Sequence, residues 1–252
     1  MNNTQLQIKI RQRLNKLASD DYDNIECWQI VEAFNKAQLM WCRRQLHGTN
    51  MYKEGDERSK KRIDDLQILL INQPLTTGTD HGDFISFTNF PDDYLEYKRV
   101  NAIAFSECCP MTVTETGNEG DTNEVHTGGR TMTVYLAEEA NVDLIMRDTL
   151  KRPDFEWGET FCTMRSNTIR VYKTNDFGIF SASLDYYRNP RRIEIDNCTD
   201  PIDGGTSTAD VECEFKDDVA ELILDEAAAI LAGDINDVNT YTRENQEVEK
   251  NN

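Results

Sequence analysis

The sequence predicts an α+β protein in which N-terminal helices and one C-terminal helix pack together and a β-rich layer lies between them in the chain. Apolar residues recur every three or four positions before residue 75 and again after residue 216. Between those stretches the apolar period shortens to two, and aromatic and β-branched residues dominate. With 38% hydrophobic residues among 252, and 10 Phe, 9 Tyr and 3 Trp, the chain has enough apolar material for a folded core. The expected divisions are residues 1–75 (helices), 76–215 (β-rich, with long loops at 114–130 and 196–209) and 216–252 (a helix that completes the bundle, then an acidic tail).

Ile10, Leu14 and Leu17 follow helical spacing, and the cluster from Ser19 to Asp23 supplies a break and candidate N-caps. Cys27, Val31, Phe34, Ala37 and Trp41 form one apolar stripe of a long second helix, with Gly48 where a helix commonly stops. A third helix is expected from Lys53 to the run ending at Ile71, closed by Pro74. Residues 84–87 and 97–105 read as strands around a turn at Pro91–Tyr94. The polar, Gly-rich stretch 114–130 reads as a long exposed loop. Strands follow at 131–136, 161–165, 168–173 and 179–187, interrupted by a short helix at 138–148 with Val142, Ile145 and Met146 inward. After the loop 196–209 comes the strongest helix, with Val219, Leu222, Ile223, Ala227, Ile230 and Leu231 on one face and Asp217 and Asp218 complementing its dipole.

Charge is unevenly placed. The chain carries 46 acids against 27 Lys and Arg, a net −19, which disfavours general binding to phosphate backbones or anionic membranes. Residues 194–252 hold 17 acids and three bases, whereas residues 1–62 hold 12 bases and eight acids. No apolar run reaches the roughly 18–20 residues of a membrane span, and charges near the start replace the apolar region of a signal peptide. Seven scattered cysteines, an odd number, read as reduced thiols of a cytosolic product.

The residues offer no catalytic constellation. His47, His81 and His126 lack metal-ligand spacing, Cys108 and Cys109 are adjacent rather than C-x-x-C, and no phosphate-binding glycine loop or G-x-S-x-G is present. Asp196, Asp200 and Asp203 could offer oxygens to a hard cation but do not follow the EF-hand order. The basic run Arg58 to Arg62 alternates with acids, as a solvated helix face does, and could also dock an acidic partner. No catalytic residue, cofactor or metal is assigned, and the expectation is a protein that is not an enzyme.

The order of local patterns is more informative. The segments CWQIVEAFNKAQLMWCRRQL (27–46), DDLQILLI (64–71), FISFTNFPDDYLEYKRVNAIAF (84–105), LDYYRNPRRIEI (184–195) and EFKDDVAELILDEAAAILAGDINDVNTY (214–241) together resemble the head-to-tail connector proteins, the ring or adaptor proteins beneath the portal of short-tailed, crAss-like bacteriophages of Bacteroidetes hosts. The loop at 114–130 and the acidic tail depart from the commoner pattern. That resemblance implies a virion protein at the head–tail junction, assembled in the host bacterial cytoplasm. It implies a homo-oligomeric, twelvefold ring contacting the portal and adjacent tail ring proteins. Duplex DNA would pass through the channel without sequence-specific binding, during packaging, retention and ejection. An acidic wall would repel that duplex within a Debye length of about 8 Å.

Interface candidates are Cys27, Val31, Phe34 and Trp41 on the second helix, and Arg58, Lys61 and Arg62 in the basic run. Glu119, Val125 and His126 in the long loop join them, with Leu222 and Ile230 on the last helix and Val238 and Tyr241 in the tail. Two rival expectations stand beside the connector: a host-surface binding module of the tail, using the β layer as its face, and a cation-dependent hydrolase centred on Asp200 and Asp203.

Overall fold

The computed structural model describes residues 1–14, 25–47, 64–106, 111–116, 123–201, 204–234, 241–243 and 245–246, with backbone only for 111–116 and 123–128. In chain order the elements are α1 (Asn3–Leu14), α2 (Cys27–His47), β1 (Leu70–Asp80), β2 (Phe84–Thr88), β3 (Tyr94–Phe105), β4 (Met111–Thr116) and β5 (Asn123–Gly128). They continue with β6 (Arg130–Leu136), α3 (Val142–Arg147), β7 (Glu159–Arg165), β8 (Thr168–Tyr172), β9 (Gly178–Arg188) and α4 (Asp217–Asp234). The fold is mixed α+β, as the periodicities predict. Two compact units divide the chain, Met1–Leu69 with Asn189–Asn252, and Leu70–Arg188; the segment 189–215 is therefore grouped with the helices.

In the helical unit α1 and α2 both pack on α4. α1 buries Leu6, Ile10 and Leu14, each four residues on from the last, and α2 buries Ile30, Ala33, Phe34, Ala37 and Trp41. α4 serves two neighbours, so its buried surface is wider than the single stripe read from the sequence. Leu224, Ala228 and Ala232 are buried along with Val219, Ile223, Ala227 and Leu231, while Leu222 and Ile230 are only half-buried. Each large side chain taken fully out of water in this way contributes about 1.5–3 kcal/mol. Trp41 meets Phe215 edge-on at 5.3 Å between ring centres, which joins α2 to the approach to α4.

The third predicted helix is corrected at its end. Residues 64–66 are helical and Gln67–Leu69 form a 3-10 turn, but Leu70 begins a strand that runs through Pro74. A short apolar run cannot distinguish helix from strand by period alone. Pro74 is tolerated because β1 pairs with β9 over Leu70–Leu75 and meets β2 only from Thr76 onward, leaving the proline with a ladder on one side.

The second unit is a closed seven-stranded barrel in the order β1-β2-β8-β7-β6-β3-β9, with β9 returning to β1. Its inward residues include Phe87, Val100, Ala102, Ala104, Met132, Ile169, Val171, Ala182 and Leu184. Large and small side chains alternate around this interior and fill it, so the barrel is a packed core. The β6–β7 pair is parallel. A parallel pair needs a crossover, and residues 137–158 with α3 provide it. Gly78 sits at an irregularity of the β1–β2 ladder, where an added Cβ would lie 2.7 Å from the backbone oxygen of Ser86.

The predicted loop at 114–130 is also corrected. Residues Met111–Thr116 and Asn123–Gly128 pair antiparallel as a β-hairpin, in register from Met111↔Gly128 to Thr116↔Asn123. Polar residues on both faces gave this hairpin no hydrophobic period to read.

Candidate functional site

The two halves of the sequence's charge meet inside the helical unit. Lys9 and Arg13 of α1 both reach Glu221 of α4, Arg13 Nη2 at 2.9 Å, and Arg13 Nε lies 2.7 Å from Asp225. From α2, Arg44 Nη2 donates to Glu226 Oε1 at 2.5 Å. Burial alone would raise the Glu221 carboxyl, but the hydrogen bonds and charges of Lys9 and Arg13 outweigh it and hold the group below its ordinary value. Glu226 goes the other way. Its side chain is 5% exposed, its Oε2 has no hydrogen-bond partner, and desolvation raises its pKa despite Arg44. Much of α4's acidity is thus neutralised by the basic N-terminal helices, and among the described residues of 194–234 the exposed acids are Glu194, Asp196, Asp210, Glu212, Asp217, Asp218 and Asp234.

Beside the start of α2 is a cleft of about 380 Å³ lined by Trp28, Val31, Glu32, Arg192, Ile195 and Ser207 among others. Its edge is tied by a disulfide between Cys27 and Cys198, 171 residues apart. This corrects the expectation of reduced thiols for those two cysteines: parity and spacing carry no information on a pairing that tertiary proximity creates. Cys42, Cys162 and Cys213 are buried thiols outside any disulfide. The loop around Cys198 is held by bridges between Thr199 and Thr206 and between Glu194 and Val211. In the cleft Ser207 Oγ donates to Glu194 Oε2 at 2.6 Å. His47 ends α2, and His81 stacks on Phe84 at 4.6 Å between ring centres.

The barrel unit carries a different surface. Leu150 is 90% exposed, Trp157 78%, Leu144 69%, Tyr135 54% and Leu136 47%. All lie on the end of β6 or on its crossover to β7. α3 buries none of its residues fully; Val142, Ile145 and Met146, the face expected inward, are half-buried, and Asp143, Leu144 and Arg147 are exposed. The short helix leaves a groove of about 440 Å³ open on the sheet, lined by Tyr135, Leu136, Ile145, Leu150, Lys151 and Phe161 among others. Tyr135 Oη donates to Glu159 Oε1 at 3.3 Å, and the Glu159 charge raises the phenol's pKa.

Of the sequence candidates, Cys27 forms the disulfide, Val31 lines the cleft, and Phe34 and Trp41 are buried in the helix packing. Leu222 and Ile230 lie half-buried on α4. Val125 and His126 are in β5, paired with Thr114 and Val113. Tyr241 is 45% exposed, and its ring stands where a Cβ on Gly233 would meet it at 3.3 Å. Arg58, Lys61, Arg62, Glu119, Asp203 and Val238 lie outside the described residues. Phe34, Trp41, Leu222 and Ile230 thus belong to one helix packing, while the strand residues sit on the hairpin. The sequence reading passed over the apolar face of 135–157. Its signal was there: Leu144, Leu150 and Trp157 fall outside any regular apolar spacing, in a stretch broken by Pro153.

Among the described residues no group of three or more His, Cys, Asp or Glu is arranged to hold a metal ion, and no helix is long and apolar enough to cross a membrane. A comparison with known protein families found no match, and no curated protein matched the chain.

Proposed function

We propose that this chain is a structural subunit of a phage portal–tail connector, one copy of a ring that joins head to tail and surrounds the DNA path. The observation that carries the reading is the uncovered apolar surface of the crossover, where Leu150, Trp157, Leu144 and Tyr135 stand more than half in water and Leu136 nearly half. A patch of that kind is a contact surface, and it suits a subunit whose work is assembly. The resemblance of the order of sequence segments to that of connector proteins supports the same reading. The exposed acids of 194–234 suit a wall along which a duplex slides without being gripped. Because α4's buried acids are internally paired, only the exposed set contributes to that field.

Electron microscopy of the purified protein, alone and mixed with portal, tests the proposal. Rotationally symmetric rings, with twelve copies expected, support it. Particles assembled without the protein should fail to attach tails or hold their DNA; tailed, full particles in its absence would overturn it.

A further inference from the structure

The loop that carries Cys198 is a finger closed on itself. Glu194 pairs with Val211 and Thr199 with Thr206, Asn197 N donates to Ser207 O at 3.0 Å, and Ser207 N donates to Cys198 O at 2.9 Å. The base of the finger is fixed to α1, where Asn3 Nδ2 donates to Glu194 O at 2.7 Å and to Asp210 Oδ1 at 3.0 Å. Beyond that base, Cys198 is the one buried residue among the described residues of 196–209. Little apolar burial holds this stretch, so the bond to Cys27 is what keeps it against the start of α2.

The two sulfurs are not equivalent. Cys198 lines the open cleft beside α2, together with Trp28, Val31 and Ser207, whereas Cys27 is not among the cleft's lining residues. A thiolate entering the cleft therefore meets Cys198 first. Cys27 is the first residue of a 21-residue helix with no acid in its first turn, and the Glu26 carboxylate just before it accepts a hydrogen bond from the Trp28 indole. A helix start favours an anion, which makes Cys27 the better leaving group of the pair. The charged lining of the cleft is Glu32, Glu194 and Asp200 against Arg192, so a thiol carrying a positive charge is drawn in and an anionic one is held off.

The geometry points to Cys198 as a site of thiol–disulfide exchange, with a small neutral or cationic thiol as the substrate and release of the finger 196–209 as the result. In the first step the thiolate of the incoming molecule attacks Cys198 Sγ and forms a mixed disulfide there. The electron pair of the broken S–S bond leaves on Cys27, which takes up the proton the small thiol gave to water. A second small thiol then attacks the sulfur of the bound molecule, and Cys198 leaves as a thiolate and is protonated in turn. The two small thiols end as one disulfide, and two electrons have passed to the protein. The finger keeps its base on α1 and loses its tie to α2.

The test uses the full-length protein in native buffer with three probes: 2-mercaptoethanol, the cationic cysteamine and the anionic 2-mercaptoethanesulfonate. Exchange is stopped with iodoacetamide and the peptides are read by mass spectrometry. The mixed disulfide should sit on Cys198, with Cys27 alkylated, in about tenfold excess over the reverse product. At equal thiolate concentration cysteamine should react about threefold or more faster than the sulfonate. The rate should be unmoved by about 1 M urea, since direct attack through the cleft needs no unfolding. Adducts shared equally by the two cysteines, equal rates for the two charged probes, or a rate that climbs with urea would overturn the proposal. In protein held in dithiothreitol at room temperature, cleavage at Asp196, Asp200 or Asp203 by an aspartate-specific endoproteinase should rise about tenfold or more while the helical ellipticity persists. A finger cut no faster than in the oxidised protein, or helices that melt on reduction, would overturn its release as the result.

Discussion

The disulfide between Cys27 and Cys198 offers the most quantitative test of the helical unit. In the chain-entropy picture a cross-link stabilises by restricting the unfolded chain, and closing 171 residues corresponds to about 5 kcal/mol. The barrel alters that figure. While it stays folded, Leu70 is held opposite Tyr187, so the unfolding helical unit sees a loop made only of residues 27–69 and 189–198. A loop of roughly 50 residues corresponds to about 4 kcal/mol. For a unit of that size such a loss lowers the melting temperature on the order of 10–20 °C. The assay is thermal unfolding followed at 222 nm, where α1, α2 and α4 dominate, with and without reductant, on the wild type and on Cys27→Ser, Cys198→Ser and the double variant. Because the two thiols act as one bond, both single variants and the double should fall together, and reductant should add nothing further to any of them. Alkylation after denaturation without reductant should spare Cys27 and Cys198 and label Cys42, Cys162 and Cys213. A melting temperature indifferent to reductant, or losses that sum in the double variant, would refute the reasoning.

Three further outcomes are expected. Glu221 and Glu226 should give opposite pH dependences: the stability held by Glu221, whose folded pKa is lowered, is present above its ordinary 4.5 and lost as pH falls through the folded value, whereas Glu226, whose folded pKa is raised, favours the fold increasingly as pH drops through that raised value toward 4.5. Denaturant midpoints measured against pH should therefore lose their upper slope in Glu226→Gln, and an unchanged slope would count against the buried, half-satisfied carboxylate. Leu184→Ala, inside the barrel and fully buried, should cost about 2–5 kcal/mol in equilibrium unfolding, while Leu150→Ala should cost under about 0.5 kcal/mol. Gly78→Ala should cost about 1–3 kcal/mol, since the atom its Cβ meets is the backbone oxygen of Ser86 and not the end of a movable side chain; a neutral effect would show that the β1–β2 irregularity relaxes.

How far the sequence disclosed this fold depended on whether each segment had a face to bury. α2 and α4 were legible because a stripe of apolar side chains at helical spacing leaves little else to form, and β3 and β9 because each is a long run rich in aromatic and aliphatic residues with no helical spacing. β1 was lost because Leu66 to Ile71 reads equally well in both periods, and only its pairing with β9 decides the matter. The hairpin was lost because neither of its faces is apolar, so its evidence lies in backbone pairing alone. The disulfide was invisible for a related reason: it joins a helix start to a loop across the whole barrel in sequence, and no local spacing encodes that meeting.

The candidate surfaces divide along the same line. Phe34 and Trp41 were chosen as contact residues because they are large, apolar and regularly spaced, and those properties are the ones that place a residue in its own subunit's core. Both are buried accordingly. Leu144, Leu150 and Trp157 lack any regular spacing, and for that reason no element of the described chain covers them. In a subunit that assembles, periodicity marks what the chain buries for itself, and the aperiodic apolar residue marks what is left for a neighbour. Charge follows the same logic. The acids of α4 that face Lys9, Arg13 and Arg44 serve the fold, and the exposed ones, such as Asp218 and Asp234, remain to act on anything outside it.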